Sequence, residues 1–172
     1  MNAQIFPQLL SSTPHSNARR IASLYTAINI GDLAAIAACY DENAYFEDIA
    51  FKLQRKCRIM EMWRFVCHGG TRAEFDPSAI SADDWTGSGR WTAKYMFGKT
   101  ATRCGRPVVN DTISSFAFRD GLIIEHRDAC DPVAWARQAL PYPFSLVVGS
   151  SEPARRAMAT LKLDRFIRTA AR

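Results

Sequence analysis

From Ser16 the apolar residues Ile21, Leu24, Tyr25 and Ile28 recur at helical spacing and predict a first helix with Ser16 as its cap. Gly31 ends that helix, and Asp32 is placed to cap a second one carrying Leu33, Ile36, Ala37 and Tyr40 on one side. Ala44 to Asp48 reads as a short strand and Ile49 to Arg55 as a loop. A third helix is predicted over Lys56–Cys67, with Ile59, Met62, Trp63 and Val66 as its buried stripe and His68-Gly69-Gly70 as its end.

The period then changes to 2. Ala73–Asp83 predicts a strand interrupted at Pro77, and Trp85–Phe97 predicts a long strand with Trp91, Ala93, Tyr95 and Phe97 on one face. Arg106–Asp131 predicts two long strands joined at Asp120-Gly121, a strong hairpin signal. A three-residue loop, Arg119-Asp120-Gly121, pairs apolar with apolar: Phe118 opposite Leu122 and Phe116 opposite Ile124. It then sets Ser114 opposite His126, Thr112 opposite Asp128 and Asn110 opposite Cys130. One face of the hairpin is therefore apolar near the turn and polar beyond it, while Asp111, Ile113, Ser115, Glu125, Arg127 and Ala129 form the other.

Pro132 to Leu140 predicts a short helix, residues 140–150 are broken by proline, and Pro153 starts a final helix. The apolar residues of that last helix share no face, so it is expected to be peripheral. Three helices followed by long antiparallel strands predict an α+β fold: a curved antiparallel sheet wrapped around the N-terminal helices, enclosing a conical cavity. The chain divides into a loose N-terminal segment at 1–14, a domain at 15–138, and a linker with a basic helix at 139–172.

Composition changes the picture in two places. The net charge of +5 resides wholly in residues 153–172, which hold six basic residues and one acid, while the remainder balances. A basic tail on a neutral domain predicts a solvated helix and no nucleic-acid partner. The five cysteines, Cys39, Cys57, Cys67, Cys104 and Cys130, are odd in number and lack CxxC spacing. That pattern fits reduced thiols in a cytoplasm better than a disulfide framework. No stretch approaches the roughly 20 apolar residues of a membrane span, so no membrane partner is expected.

The segment LYTAINIGDLAAIAACYDENAYFED, residues 24–48, resembles the opening of the nuclear transport factor 2-like superfamily, in its SnoaL-like and ketosteroid isomerase-like branches. There a helix ends in N-x-G-D-L, a second helix follows, and an acidic pair ends the first strand. The long strand at 106–118 and the final strand with E-H-R-D extend the resemblance over about residues 15–138. It implies a cone-shaped fold, a homodimer formed through the outer face of the sheet, and a pocket inside the cone for a small hydrophobic ligand. Asp48 matches the isomerases' general base. Leu24 stands at their tyrosine donor position, with Tyr25 one residue off, and Ser114 stands at their second donor position. Asp128 matches the acid/base aspartate of the SnoaL-like cyclases, near His126.

Asp128 and His126 lie two apart on one strand face, about 6.5–7 Å between Cα atoms, so they can serve one ligand or each other. A carboxylate in an apolar pocket can shuttle a proton, and a histidine can polarise a carbonyl or hold the substrate. The candidate catalytic residues are Asp128, His126 and Asp48. The candidate ligand contacts are Asn110, Thr112, Ser114, Tyr25, Trp63, Trp91, Tyr95 and Phe116. No metal or cofactor is expected. The reading is an isomerase or cyclase type of enzyme acting on a polyketide- or steroid-like carbonyl compound. The alternative is a non-catalytic ligand-binding or dimerisation module of the same fold.

Overall fold

The computed structural model describes residues 14–100, 102 and 104–170. Residues 1–13 of the expected N-terminal segment lie outside that set. The described chain forms α1 (Ser16–Ile30), α2 (Leu33–Cys39), β1 (Tyr40–Glu47), β2 (Lys52–Gln54) and α3 (Lys56–His68). Then come β3 (Arg72–Phe75), β4 (Ser81–Ala82), β5 (Thr86–Phe97), β6 (Arg106–Arg119) and β7 (Leu122–Ala129). Three helices end it: α4 (Pro132–Ala139), α5 (Phe144–Ser150) and α6 (Glu152–Ala170). This is the expected α+β architecture.

The sheet runs in the order β2-β1-β7-β6-β5-β3, with β4 also on β5. All its pairs are antiparallel except β1–β7, which is parallel, so the sheet is mixed rather than wholly antiparallel. Helices α1–α3 fill its concave side. Ile21, Leu24, Tyr25 and Ile28 of α1 and Ile59, Met62 and Trp63 of α3 are buried against Trp91, Ala93, Phe116, Phe118 and Ile123 of the strands. Side-chain bonds fix the placement: the Arg20 Nε donates to the Gly121 carbonyl (2.9 Å), and the Asn17 amide donates to Asp83 O (2.8 Å).

Capping follows local chemistry. His15, not Ser16, precedes α1 as its cap, its Nδ1 accepting from the Asn17 amide at 3.2 Å. Gly31 closes α1 at φ 73°, and Asp32 accepts from the Ala35 amide at 3.0 Å. Tyr40 opens β1 instead of ending α2, and part of the expected 49–55 loop is β2.

The β6–β7 hairpin differs from the expected register. Its loop has two residues, Asp120 (φ 52°) and Gly121 (φ 72°), with Phe118 opposite Ile123. The register then shifts at the unpaired Ile124, setting Phe116 opposite His126 and Ser114 opposite Asp128. The shorter loop and the bulge each move the pairing by one residue in the same direction, and a total shift of two restores the parity that sets which side chains face inward. The inward face is therefore as expected, but every polar partner sits two residues along.

The last helix is not peripheral. Leu163 is 1% exposed and Ala159 7% in the main core, and Phe166 packs on Phe65 of α3 at 5.5 Å between ring centroids. On its other side Met158 joins Ile49, Tyr95, Phe97, Leu140 and Val148 in packing against a second cluster of Val108, Trp135, Ala136 and Ala139. Among the described residues no helix is long and apolar enough to cross a membrane.

Candidate active site

Asp128 sits on β7 with its side chain only 7% exposed. Two hydrogen-bonded chains end on its Oδ1. In the first, the Trp91 indole N–H donates to Ser114 Oγ at 3.0 Å, and the Ser114 hydroxyl donates to Asp128 Oδ1. In the second, the Trp63 indole N–H donates to the Tyr40 oxygen at 3.1 Å. The Tyr40 hydroxyl meets His126 Nδ1 at 2.7 Å, and His126 Nε2 meets Asp128 Oδ1 at 2.9 Å. Among the described residues nothing donates to Asp128 Oδ2, and this oxygen is not sealed from solvent.

His126 is fully buried. Phe116 lies 4.4 Å from its ring centroid, Phe46 meets it edge-on at 5.0 Å, and Tyr40 and Trp63 stack beyond. With both nitrogens occupied, His126 supports Asp128 from behind and touches no cavity. Burial raises the Tyr40 phenol well above its usual range, against the pull of the Trp63 bond, so Tyr40 remains a proton donor.

Tyr25 does enter the interior. Its ring stacks on Trp91 at 5.7 Å, and its buried hydroxyl has no hydrogen-bond partner among the described residues, although Ser114 lies beside it. Gly89, opposite Ser114 on β5, makes this possible: a Cβ there would lie 2.7 Å from the Tyr25 oxygen. Burial, foremost, pushes the Tyr25 phenol up, and the charge of Asp128 adds to it.

Asp48 follows β1 in a tight turn, its Oδ1 accepting from the Ala50 amide at 2.7 Å and from the Phe51 amide. Desolvation lifts its carboxyl from 3.8 to about 6, against those two amides and Arg156, while Asp128 adds to the rise. Asp48 and Asp128 therefore feel each other's charge but occupy different settings. One has two side-chain donors; the other is held by backbone.

Ser114, Trp91, Trp63, Tyr25 and Phe116 gather around Asp128 and His126, and they are buried core as well as lining. Thr112 is buried on the same strand face as Ser114 and pairs with Trp91 across the sheet. Tyr95 and Asn110 lie farther along, toward the end that α4–α6 cover. The Tyr95 oxygen accepts from the Trp135 indole at 2.7 Å, and burial pushes its phenol up to about 12. Asn110 lies beside the Cys130 thiol, which burial pushes up to about 11. Two shallow depressions, one along Ser81–Ser88 and one around Gly69, Tyr95 and Val109, include neither Asp48, His126 nor Asp128.

Three contributors escaped the sequence reading. Tyr40 fitted the helical stripe of α2, yet Tyr40, Ala44, Phe46 and Asp48 keep the even spacing of a strand face. The buried Arg155 donates to the carbonyls of Ile49 (3.2 Å), Val148 (3.1 Å) and Gly149 (2.8 Å). Arg156 donates to Glu47 at 2.8 Å. Both arginines tie the final helix to the turn that carries Asp48. Nothing in a run of basic residues distinguishes such a tie from a solvated charge. Among the described residues no three His, Cys, Asp or Glu side chains are grouped to hold a metal ion.

The SnoaL-like domain family model matches residues 21–126, and the chain belongs to that family. No curated protein sequence matches significantly. Its fold is that of the nuclear transport factor 2-like proteins. An LEH-like epoxide hydrolase from M. tuberculosis superposes with a TM-score of 0.61 at 20% identity, covering 78% of this chain and 97% of that one. IdmH, a candidate polyketide cyclase from Streptomyces antibioticus, gives 0.59 at 21% identity over 72% and 98%. SalBIII, an epoxide hydrolase/cyclase-like enzyme of pyran ring formation in salinomycin, gives 0.57 at 18% over 66% and 89%. These neighbours match over most of their own length, and this chain is longer than they are.

Proposed function

We propose that this protein is an acid/base enzyme of the isomerase or cyclase type, working on a small hydrophobic carbonyl compound. The carrying observation is the single free carboxylate oxygen: Asp128 Oδ1 holds two donors while Oδ2 holds none. In this reading Oδ2 takes the proton next to the substrate carbonyl. Fixed donors on the other oxygen leave little reorganisation at that moment. Asp48, lifted to about 6, is the second group and the better acid, able to protonate an oxygen or carbon across the site. His126 holds Asp128 rather than the substrate, and Tyr25, whose buried phenol has no partner among the described residues, is the donor for a developing enolate. Thr112 and Asn110 orient the ligand by hydrogen bonds. Trp63, Trp91, Tyr95 and Phe116 give it apolar walls. No cofactor enters these steps.

The likeness to IdmH, a candidate polyketide cyclase, and to SalBIII, an epoxide hydrolase/cyclase-like enzyme, supports this class of chemistry. We place the protein in the cytoplasm, on its five unpaired cysteines, and expect a homodimer through the outer sheet face, where Ile113 and Val109 are half exposed. The close packing of Trp63, Trp91 and Phe116 favours a second reading, a binding module whose polar chain is structural. Hydrogen–deuterium exchange next to the carbonyl of 2-tetralone, followed by NMR, separates the two. Catalysed exchange that falls at least about 100-fold in Asp128→Asn supports the enzyme. Binding without exchange supports the module.

A further inference from the structure

We propose that Tyr40 is a positioning residue that fixes the tautomer of His126, so that Asp128 is always met by Nε2–H and reacts only through Oδ2. This deepens the acid/base reading above and rests on it. An indole N–H can only donate, so the Trp63 bond makes the Tyr40 oxygen an acceptor. The phenol has one proton left to place, and its one remaining partner is His126 Nδ1, at 2.7 Å. Nδ1 must then be the bare nitrogen of the ring. The ring proton sits on Nε2 and points at Asp128 Oδ1, at 2.9 Å.

The opposite tautomer fails at both ends. Nδ1–H and the phenol O–H would face each other, and a bare Nε2 would face a carboxylate oxygen with no proton between them. Each end would then leave a buried polar group without its hydrogen bond, which disfavours that tautomer. Ring rotation offers no escape, because Phe46 and Phe116 bracket the imidazole at 5.0 and 4.4 Å. The titratable groups that meet the ring are Tyr40 and Asp128. The Ser114 chain, also led by an indole, reaches the same Oδ1 from the neighbouring strand.

The consequence is chemical. Protons on both chains already run toward Oδ1, so a proton arriving on Oδ2 cannot leave through His126. The C–H bond breaks, its proton goes to Oδ2, and the electron pair stays on the substrate as an enolate. The proton then returns from Oδ2 to another carbon, and Asp128 is restored. Such a site suits proton shifts within one molecule, and cyclisations that begin and end with one proton on Asp128.

The test uses the full-length protein. Long-range 1H–15N NMR of the wild type should show the neutral His126 ring with its proton on Nε2 and a bare Nδ1. Tyr40→Phe should give a mixture of tautomers and slow 2-tetralone exchange by about 10–100-fold at unchanged KM. Trp63→Phe, which frees the phenol oxygen while keeping Tyr40, should mix the tautomers to a lesser degree and keeps the test alive should Tyr40→Phe not fold. A wild-type ring protonated on Nδ1 overturns the proposal, as does a Tyr40→Phe protein with unchanged tautomer and rate. Full exchange activity in Asp128→Asn would instead defeat the acid/base reading and leave the tautomer assignment standing.

Discussion

Replacing Asp48 by Asn should make the protein more stable, and only above a certain pH. The native carboxyl is lifted from 3.8 to about 6, chiefly by desolvation. Between those values the folded protein binds a proton that the unfolded chain has lost, so stability falls as pH rises through that window and stays low above it. A displacement of about 2 pH units corresponds to roughly 3 kcal/mol of penalty near pH 8; partial exposure of the carboxyl trims this to about 2 kcal/mol. Asn retains the oxygen that accepts from the Ala50 and Phe51 amides, so the turn survives. Urea melts of both proteins at pH 4 and pH 8 read the difference. We expect a gain of about 2 kcal/mol at pH 8, equal to roughly 4–8 °C in Tm for a chain of this size, and almost none at pH 4. An equal gain at both pH values, or a loss at pH 8, would refute the desolvation argument.

Other substitutions test the packing and the polar chains. Ser114→Ala strands the buried Trp91 indole N–H and should cost about 1–3 kcal/mol by urea melt, with a change in near-ultraviolet circular dichroism. Leu163→Ala should cost about 2–5 kcal/mol, whereas a peripheral helix would give almost nothing. Gly89→Ala drives a methyl into the Tyr25 hydroxyl and should cost about 1–3 kcal/mol by thermal melt, with recovery in the double variant Gly89→Ala/Tyr25→Phe.

The elements that follow one simple period were legible in the sequence. The α1 and α3 stripes, the inward face of β5 and the Asp120-Gly121 turn all follow from spacing and turn chemistry. The hairpin register was not, because it depends on one unpaired residue, Ile124, that no local pattern marks. Its inward face was legible even so, since bulge and shorter loop add to a shift of two residues, which keeps the same side chains inward. Tyr40 was misplaced because an α-helix ends and a strand begins at one residue, where both periods fit. The final helix lies between two surfaces: Met158 packs on the cluster around Val108 and Trp135, while Ala159 and Leu163 face the main core. A helix buried on two sides shows no single apolar stripe, so its pattern read as none. Its arginines read as solvated charge, yet Arg155 ends on three carbonyls, and Lys162 lies 3.6 Å from the centroid of the Phe97 ring.

Within the site, sequence resemblance placed Asp48 and Asp128, and strand alternation placed Ser114 with His126 and Asp128. The two indole-led chains required the third dimension, because Trp63, Tyr40 and His126 come from three separate elements. Alternation also could not tell a pocket wall from core: Trp63, Trp91 and Phe116 obey the same pattern in either role.

The central claim is that a carbonyl compound meets Asp128 Oδ2 inside the cone, and the most direct measurement is a crystal structure with 2-naphthol, the planar mimic of the 2-tetralone enol. The account predicts the naphthol within the cone, its oxygen toward Tyr25 and ring carbon 1 near Asp128 Oδ2. Naphthol bound only on the outer surface, or excluded from a cone still closed by Trp63, Trp91 and Phe116, would contradict it.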